Sequence, residues 1–394
     1  MTQPTQPTQS TPRAKPTQRA RRRVAAFAVA FAALNASAAC TFGSGSTGGS
    51  APGGPLVNVV PDPAYRVSAY ALAMTADGSQ LAATCTLGTC FWDTATGALT
   101  RTLTNVDGTV LAWSPDGSIL ATRGPSPSSG PAGGRFETPV RLVSALDGTT
   151  LRDLNGHTGL VVADGSLGVT AAAFSPDGKT LATAGNDGTS RLWSIPDGRP
   201  LRTLDVGGTR ATALAWSPDG TRLAVASVEV PVSVWDVATG RRVASLTNSP
   251  PQSYGVAWSP DGSRLATATS DPDQVVRLVD PNGGEATGGA TGGATTLTKN
   301  VAAYSLAFSP KGDVLAFSQP RDRTVVLWPL TAGASSRTLS GHTNNPYAVA
   351  FSPDGASLFS VSTHDGVLRW DVKTGALATK FELPPARATA SSSR

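Results

Sequence analysis

From about residue 65 to residue 383 the chain alternates short apolar runs with tight polar turns, and the alternation repeats. One stretch shows the pattern cleanly, Val169 to Leu204, which reads VTAAAFSPDGKTLATAGNDGTSRLWSIPDGRPLRTL. The run Thr170 to Phe174 is apolar and ends at Ser175-Pro176-Asp177-Gly178. Proline fixes φ for the second position of a type I turn, and glycine suits the last. Thr180 to Ala184 is a second run, Asn186-Asp187-Gly188 is a hairpin signal, Ser190 to Trp193 is a third run, and Leu201 to Leu204 is a fourth after Pro196-Asp197-Gly198. Four strands of about five residues joined by tight turns make one antiparallel meander. No segment has a helical apolar period, which argues against parallel units built with helices.

The turn Ser-Pro-Asp-Gly stands at Ser114 to Gly117, Ser175 to Gly178, Ser217 to Gly220, Ser259 to Gly262 and Ser352 to Gly355. Thr75-Ala76-Asp77-Gly78 and Ser309-Pro310-Lys311-Gly312 are variants that bring the series to seven. Successive closing glycines are 39, 61, 42, 42, 50 and 43 residues apart. A period in this range signals a repeat architecture. A single meander cannot bury its own face, so seven of them are expected to stack radially around one core as a single large domain.

The third strands end in Phe91-Trp92-Asp93, Val234-Trp235-Asp236 and Arg369-Trp370-Asp371, with looser versions at Trp193-Ser194, Val279-Asp280 and Trp328-Pro329, and Val143-Ser144 in the second unit. Gly156-His157 and Gly341-His342 each precede a unit. On these residues the chain resembles the WD40 family of β-propellers across about 320 of its 394 residues. The resemblance implies an all-β fold, a seven-bladed β-propeller of four-stranded antiparallel blades. It also implies a buried hydrogen-bonded set of His, hydroxyl, Asp and Trp. The third unit offers His157, Thr183, Asp187 and Trp193. The seventh offers His342, Ser360 and Trp370, and its Asp position is ambiguous: residue counting puts His364 opposite Asp187 and leaves Asp365 one place late. The Ser-Pro-Asp-Gly turn is also similar to the repeats of TolB-type periplasmic propellers, although the Trp-Asp endings favour WD40.

Charge changes the picture at one end only. Residues 1–40 hold six of the 32 basic groups and no acid, leaving 26 basic against 27 acidic groups in the rest. A near-neutral disc makes no electrostatic case for nucleic acid. The leader is basic to Arg23, apolar over the eleven residues Val24 to Leu34, and small thereafter, the order of an export signal. Eleven residues fall short of the roughly 20 that span a bilayer. Ala36-Ser37-Ala38 fits ordinary signal peptidase, whereas Ser37-Ala38-Ala39-Cys40 resembles a bacterial lipobox with Cys40 as the lipidated residue. A Gly/Ser-rich tether follows. The expected layout is an export signal at 1–39, a lipidated cysteine and tether at 40–64, the propeller at 65–385, and an unstructured tail at 386–394. The expected location is the extracytoplasmic face of a membrane, or free secretion if Cys40 is not acylated. With Leu87-Gly88 as a two-residue turn, Cys85 faces Cys90 and the two are a disulfide candidate, against the alternative of two free thiols.

Two insertions break the period. The 61-residue interval carries Arg123 to Pro139 and a long return, Asn155 to Gly168; the 50-residue interval carries Asn282 to Ala294. The resemblance puts both features of the longer interval on one face of the disc. That face is the candidate partner surface, with Arg135, Arg210, Asp273, Arg321, Arg323, His364 and Asp365 as binding residues. Arg321-Asp322-Arg323 is its densest charge cluster, equally a solvated hairpin tip. Asp271 and Asp273 lack the ligand pattern of a calcium loop. Three histidines and uncharged first strands supply no convergent reactive set. The expectation is therefore a monomeric, non-catalytic module without metal or cofactor that holds a protein or peptide partner. The alternatives are a TolB-like structural component of an envelope complex and, behind it, a propeller hydrolase.

Overall fold

The computed structural model describes residues 72–381, except 76, 86–87, 105, 107–109, 125–134, 161–167, 209, 248–251, 270–273, 283–293 and 363–364. The expected export leader, Cys40, the expected tether and the tail after residue 385 lie outside the described residues. Seven four-stranded antiparallel sheets follow one another, each built from four consecutive blade strands. The blades span residues 72–103, 110–154, 169–205, 211–245, 253–298, 306–340 and 346–381. An eighth sheet has two strands, Arg135–Glu137 and Thr158–Leu160. A short 3₁₀ turn covers Pro320–Asp322. Among the described residues no helix is long and apolar enough to cross a membrane.

The third blade shows why these residues form these strands. Its strands are Val169–Phe174, Thr180–Gly185, Thr189–Ser194 and Pro200–Asp205. The first is buried throughout, because it is innermost and packed on both faces. The fourth is exposed except at Leu204 and is the outer edge. The recurrent turn is held by its own side chains. Ser175 Oγ donates to Asp177 Oδ1 at 2.6 Å and accepts the Thr180 amide at 3.0 Å, while the Gly178 amide closes on the Ser175 carbonyl at 2.9 Å. The same bonds recur at Ser114, Ser217 and Ser259. In the sixth unit Lys311 takes the Asp position, and Asp313 supplies the carboxylate instead, accepting from Ser309 Oγ at 2.6 Å. In the Trp-Asp endings the Asp caps the next turn: Asp93, Asp236 and Asp371 accept the Thr96, Thr239 and Thr374 amides at 2.7, 2.7 and 2.6 Å.

Neighbouring blades are joined in three concentric layers. Innermost, Thr170 Oγ1 donates to the Ala211 carbonyl and Thr212 Oγ1 to the Ser253 carbonyl, both at 2.6 Å. The Trp216 and Trp258 indoles donate to the Ala173 and Ala215 carbonyls of the preceding first strands at 2.9 and 3.1 Å. In the next layer the turn glycines Gly78, Gly178, Gly220, Gly262, Gly312 and Gly355 each rest on the proline of the preceding blade. A Cβ on Gly178 would lie 3.5 Å from Pro115 Cδ, and one on Gly355 3.3 Å from Pro310 Cδ. Outermost, an arginine of the fourth strand clasps the next blade. Arg101 donates to the Leu146 carbonyl at 3.2 Å, Arg202 to those of Val237 and Ala238, and Arg337 to those of Val372 and Lys373 at 3.3 and 2.9 Å. Ala244 stands at this position in the fourth blade, and the next blade there carries the 282–294 insertion in place of a regular turn.

The ring closes by packing, without exchange of strands among the described residues. Leu72 and Met74 of the first blade share a core with Tyr347, Phe359 and Phe381 of the seventh. Pro353 lies 2.9 Å from where a Gly78 Cβ would be, and Arg369 donates to the Thr94 carbonyl at 3.1 Å.

One register differs from expectation. Cys85 pairs with Gly88 and Ala83 with Cys90, so Gly88 belongs to the third strand and the two cysteines occupy diagonal, not opposite, positions in the register. Gly88 belongs to the strand because the fourth strand approaches it closely: a Cβ there would lie 2.6 Å from the Leu103 carbonyl oxygen. Cys90 is disulfide-bonded.

Candidate loop-face binding site

The blades share one polarity: each first strand ends at its Ser-Pro-Asp-Gly-type turn. The connections between second and third strands, and from each fourth strand to the next blade, therefore lie together on the opposite face. On this loop face the second blade departs from plan. Its second and third strands, Ile119–Arg123 and Val140–Ser144, pair directly, and the chain between them leaves the blade. Part of that excursion, Arg135–Glu137, pairs antiparallel with Thr158–Leu160 of the return to the third blade. The Thr138 amide donates to the His157 carbonyl at 3.0 Å, and the Gly124 amide to the Pro139 carbonyl at 2.8 Å. Two features separate in sequence thus form one ribbon.

The ribbon is anchored by the buried set of the third blade. His157 Nδ1–H donates to Asp187 at 3.2 Å, Thr183 Oγ1–H donates to His157 Nε2 at 2.8 Å, and the Trp193 indole donates to Thr183 Oγ1 at 2.9 Å. Asp187 also accepts the Thr158 amide, the first ribbon residue on that side, at 3.1 Å. Burial pushes the Asp187 carboxyl up, but His157, Thr189 and the Thr158 amide outweigh it and hold the group well below the usual carboxylate range.

The seventh blade repeats the arrangement with Asp365 in the Asp position. His342 Nδ1–H donates to Asp365 at 3.2 Å, Ser360 Oγ–H to His342 Nε2 at 2.7 Å, and the Trp370 indole to Ser360 Oγ at 2.8 Å. Asp365 further accepts the Thr343 and Asn344 amides at 2.8 and 3.0 Å and Ser362 Oγ at 2.8 Å. Burial raises its carboxyl, and the Thr343 hydroxyl, the Asn344 amide and the Ser362 hydroxyl bring it down to about 2. Burial lowers His342 against the pull of Asp365, leaving a neutral imidazole facing a carboxylate. Both sets commit their protons within the blade and hold structure.

Asp365 is therefore 8 % exposed and bonded inside the blade, a correction to its reading as a partner contact. Residue counting misses it because it ends the three-residue loop that Asp187 centres. In both loops the residue after Asp is a glycine at φ 74°, Gly188 and Gly366. That shared Asp-Gly step is the signal that identifies it.

Arg321 and Arg323 are exposed at the tip joining the second and third strands of the sixth blade. Gln319 Nε2 holds the intervening Asp322 at 3.2 Å, and Arg323 adopts φ 57°. Arg210 is half-buried at the start of the fourth blade. Arg135 lies in the ribbon, with its side chain outside what is described, and Asp273 and His364 lie outside the described residues. Among the described residues no group of His, Cys, Asp and Glu is placed to hold a metal. Sequence reasoning missed Arg123, which ends the second strand of the second blade and shares the inner rim with Arg210.

The WD domain, G-beta repeat, matches residues 148–194, 240–280 and 333–371. The chain carries WD40 repeats. The matched segments include the third strands of the third, fifth and seventh blades. WD repeat and SOCS box-containing protein 1 of Xenopus tropicalis is 40% identical over 68 residues, 17% of this chain and 16% of that protein. Pre-mRNA-processing factor 19 homolog 2 of Arabidopsis thaliana is 33% identical over 110 residues, 27% of this chain and 17% of that protein. Small ribosomal subunit protein RACK1y of Oryza sativa subsp. japonica is 34% identical over 74 residues, 19% of this chain and 20% of that protein. The chain thus aligns with about a sixth to a fifth of the length of each.

Proposed function

We propose that this chain is a non-catalytic scaffold that binds a protein or peptide partner on its loop face. The observation that carries this reading is the ribbon of Arg135–Glu137 and Thr158–Leu160: the blades do not need it, yet a buried Asp187 anchors it to a rigid disc. The exposed Arg321 and Arg323 on the same face suit carboxylates of a partner. The relatives lend support, one being named as a component of the small ribosomal subunit. The basic and apolar leader, Cys40 and the Gly/Ser-rich segment behind it support a disc tethered by lipid on the extracytoplasmic side of a membrane.

Crosslinking and pull-down from cells expressing the full chain test the surface. Deleting Gly124 to Arg135, or reversing charge with Arg321→Glu and Arg323→Glu, is expected to remove a partner that wild type retains. A partner kept by both variants assigns binding to another face. Fractionation of wild type and Cys40→Ala tests the tether. An acylated wild type in the membrane with a released mutant supports it, and two soluble forms starting at Ala39 refute it.

A further inference from the structure

We propose that Arg123 and Arg210 form an oxyanion-binding site on the inner rim of the loop face, a role that does not depend on the partner reading above. Arg123 ends the Ile119–Arg123 strand of the second blade, and its Nε donates across the blade boundary to the Val169 carbonyl at 3.2 Å. Val169 opens the first strand of the third blade. The next residue, Thr170, donates to the carbonyl of Ala211, which opens the first strand of the fourth blade, and Arg210 immediately precedes it. Three consecutive blades thus bring two guanidiniums to one short arc where first strands meet the face.

The backbone at Arg210 is held firmly. Its carbonyl accepts Ser227 Oγ at 2.9 Å and the Val228 amide at 3.3 Å. Its Nε is buried and has no hydrogen-bond partner. Both side chains are partly exposed, so the arc is open to solvent. Burial lowers the Arg123 pKa, and the charge of Arg210 lowers it further. Among the described residues neither arginine takes part in an ion pair. Glu229, the acid closest in sequence to Arg210, turns its carboxylate toward Gly208. Two partly desolvated like charges with no ion-pair partner among the described residues carry a cost that one bound anion removes, and guanidiniums donate to carboxylate or phosphate in bidentate fashion.

The test is thermal unfolding of the purified full chain, titrated with sodium phosphate or sodium acetate against sodium chloride at matched ionic strength. We expect a saturable rise in melting temperature of about 2 °C for wild type with at least one probe. The probe acting at lower concentration distinguishes phosphate from carboxylate chemistry. Arg210→Gln should abolish the rise and, in chloride, be at least as stable as wild type, because repulsion is relieved. Arg123→Gln should abolish the rise as well, while Arg321→Gln, far from the arc in sequence and on another blade, should keep it. No saturable rise with either probe, or a rise that survives in Arg210→Gln, overturns the site. Arg210 Nε has no hydrogen-bond partner among the described residues, so its variant removes the charge without breaking a bond from that nitrogen. A chloride-only loss of stability in Arg210→Gln would assign it a structural role instead.

Discussion

Thr183 and Thr267 occupy the same place in two blades and should respond oppositely to the same substitution. Each is the third residue of its second strand's core, two beyond the Leu that faces the tryptophan position: Leu181 pairs with Trp193, and Leu265 with Val279. Both are buried to within 1 %. Thr183 Oγ1 joins His157 and Trp193, but Val279 replaces the tryptophan in the fifth blade, and all three histidines stand elsewhere. The Thr267 hydroxyl is left buried without a partner.

A buried polar group without a partner costs about 1–3 kcal/mol. Thr183→Val strands two such groups, the Trp193 N–H and His157 Nε2, so the expected loss is about 2–6 kcal/mol. Thr267→Val keeps the shape and removes a stranded hydroxyl, so the expected gain is about 1 kcal/mol. The sites are in non-adjacent blades and should combine additively in the double variant. Urea unfolding followed by tryptophan fluorescence reads both, since a slope of roughly 3 kcal/mol/M turns 1 kcal/mol into a midpoint shift of about 0.3 M. Slopes must match wild type for the comparison to hold, because repeat arrays can unfold in parts. A destabilised Thr267→Val, or a Thr183→Val that stays within about 0.5 kcal/mol of wild type, would refute the reasoning.

Three further outcomes are expected. Arg337→Ala should cost about 0.5–1.5 kcal/mol by releasing the Val372 and Lys373 carbonyls; Gly375→Ala should cost more alone than in that background, since its Cβ would lie 2.1 Å from Arg337 Cδ, and additivity of the two in a denaturation cycle would exclude the clasp. Stability should fall with acid in two stages. Neutral His342 loses its contribution as pH drops below the unfolded value of 6.5, because the unfolded chain then takes a proton the folded one resists. The depressed Asp365 loses its contribution between 3.8 and about 2; urea midpoints that stay flat from pH 7.5 to 5 would contradict the first stage. Finally, non-reducing peptide mapping should find Cys90 joined to Cys85, its diagonal neighbour in the strand register, leaving Cys40 for lipid; a Cys40 to Cys90 bridge would exclude lipidation.

Within the third blade the strands expected from the apolar runs agree with those observed to within a residue at each end. Proline, aspartate and glycine act on φ and on amides two to five residues away, so the turns are local events legible in sequence. The same locality makes the seven-fold count and the meander order readable. It fails where a residue answers to something distant in the chain. Gly88 looks like a turn glycine, yet it is shaped by the Leu103 carbonyl; Asp365 looks like a surface charge, yet it is drawn inward by His342 and the Thr343 amide. The arginine clasp is a recurrent residue with no local signature, because its partners are carbonyls some 35–45 positions along.

By itself the sequence determined the class and the blade count, and its family resemblance implied the hydrogen-bonded set of the third blade, since short-range turn chemistry specifies a blade before any blade meets another. Tertiary structure alone decided how the ring closes, that two insertions fold into one ribbon, and that Arg123 reaches across to the third blade. Those are contacts between blades, and curvature around the disc, not spacing along the chain, sets them.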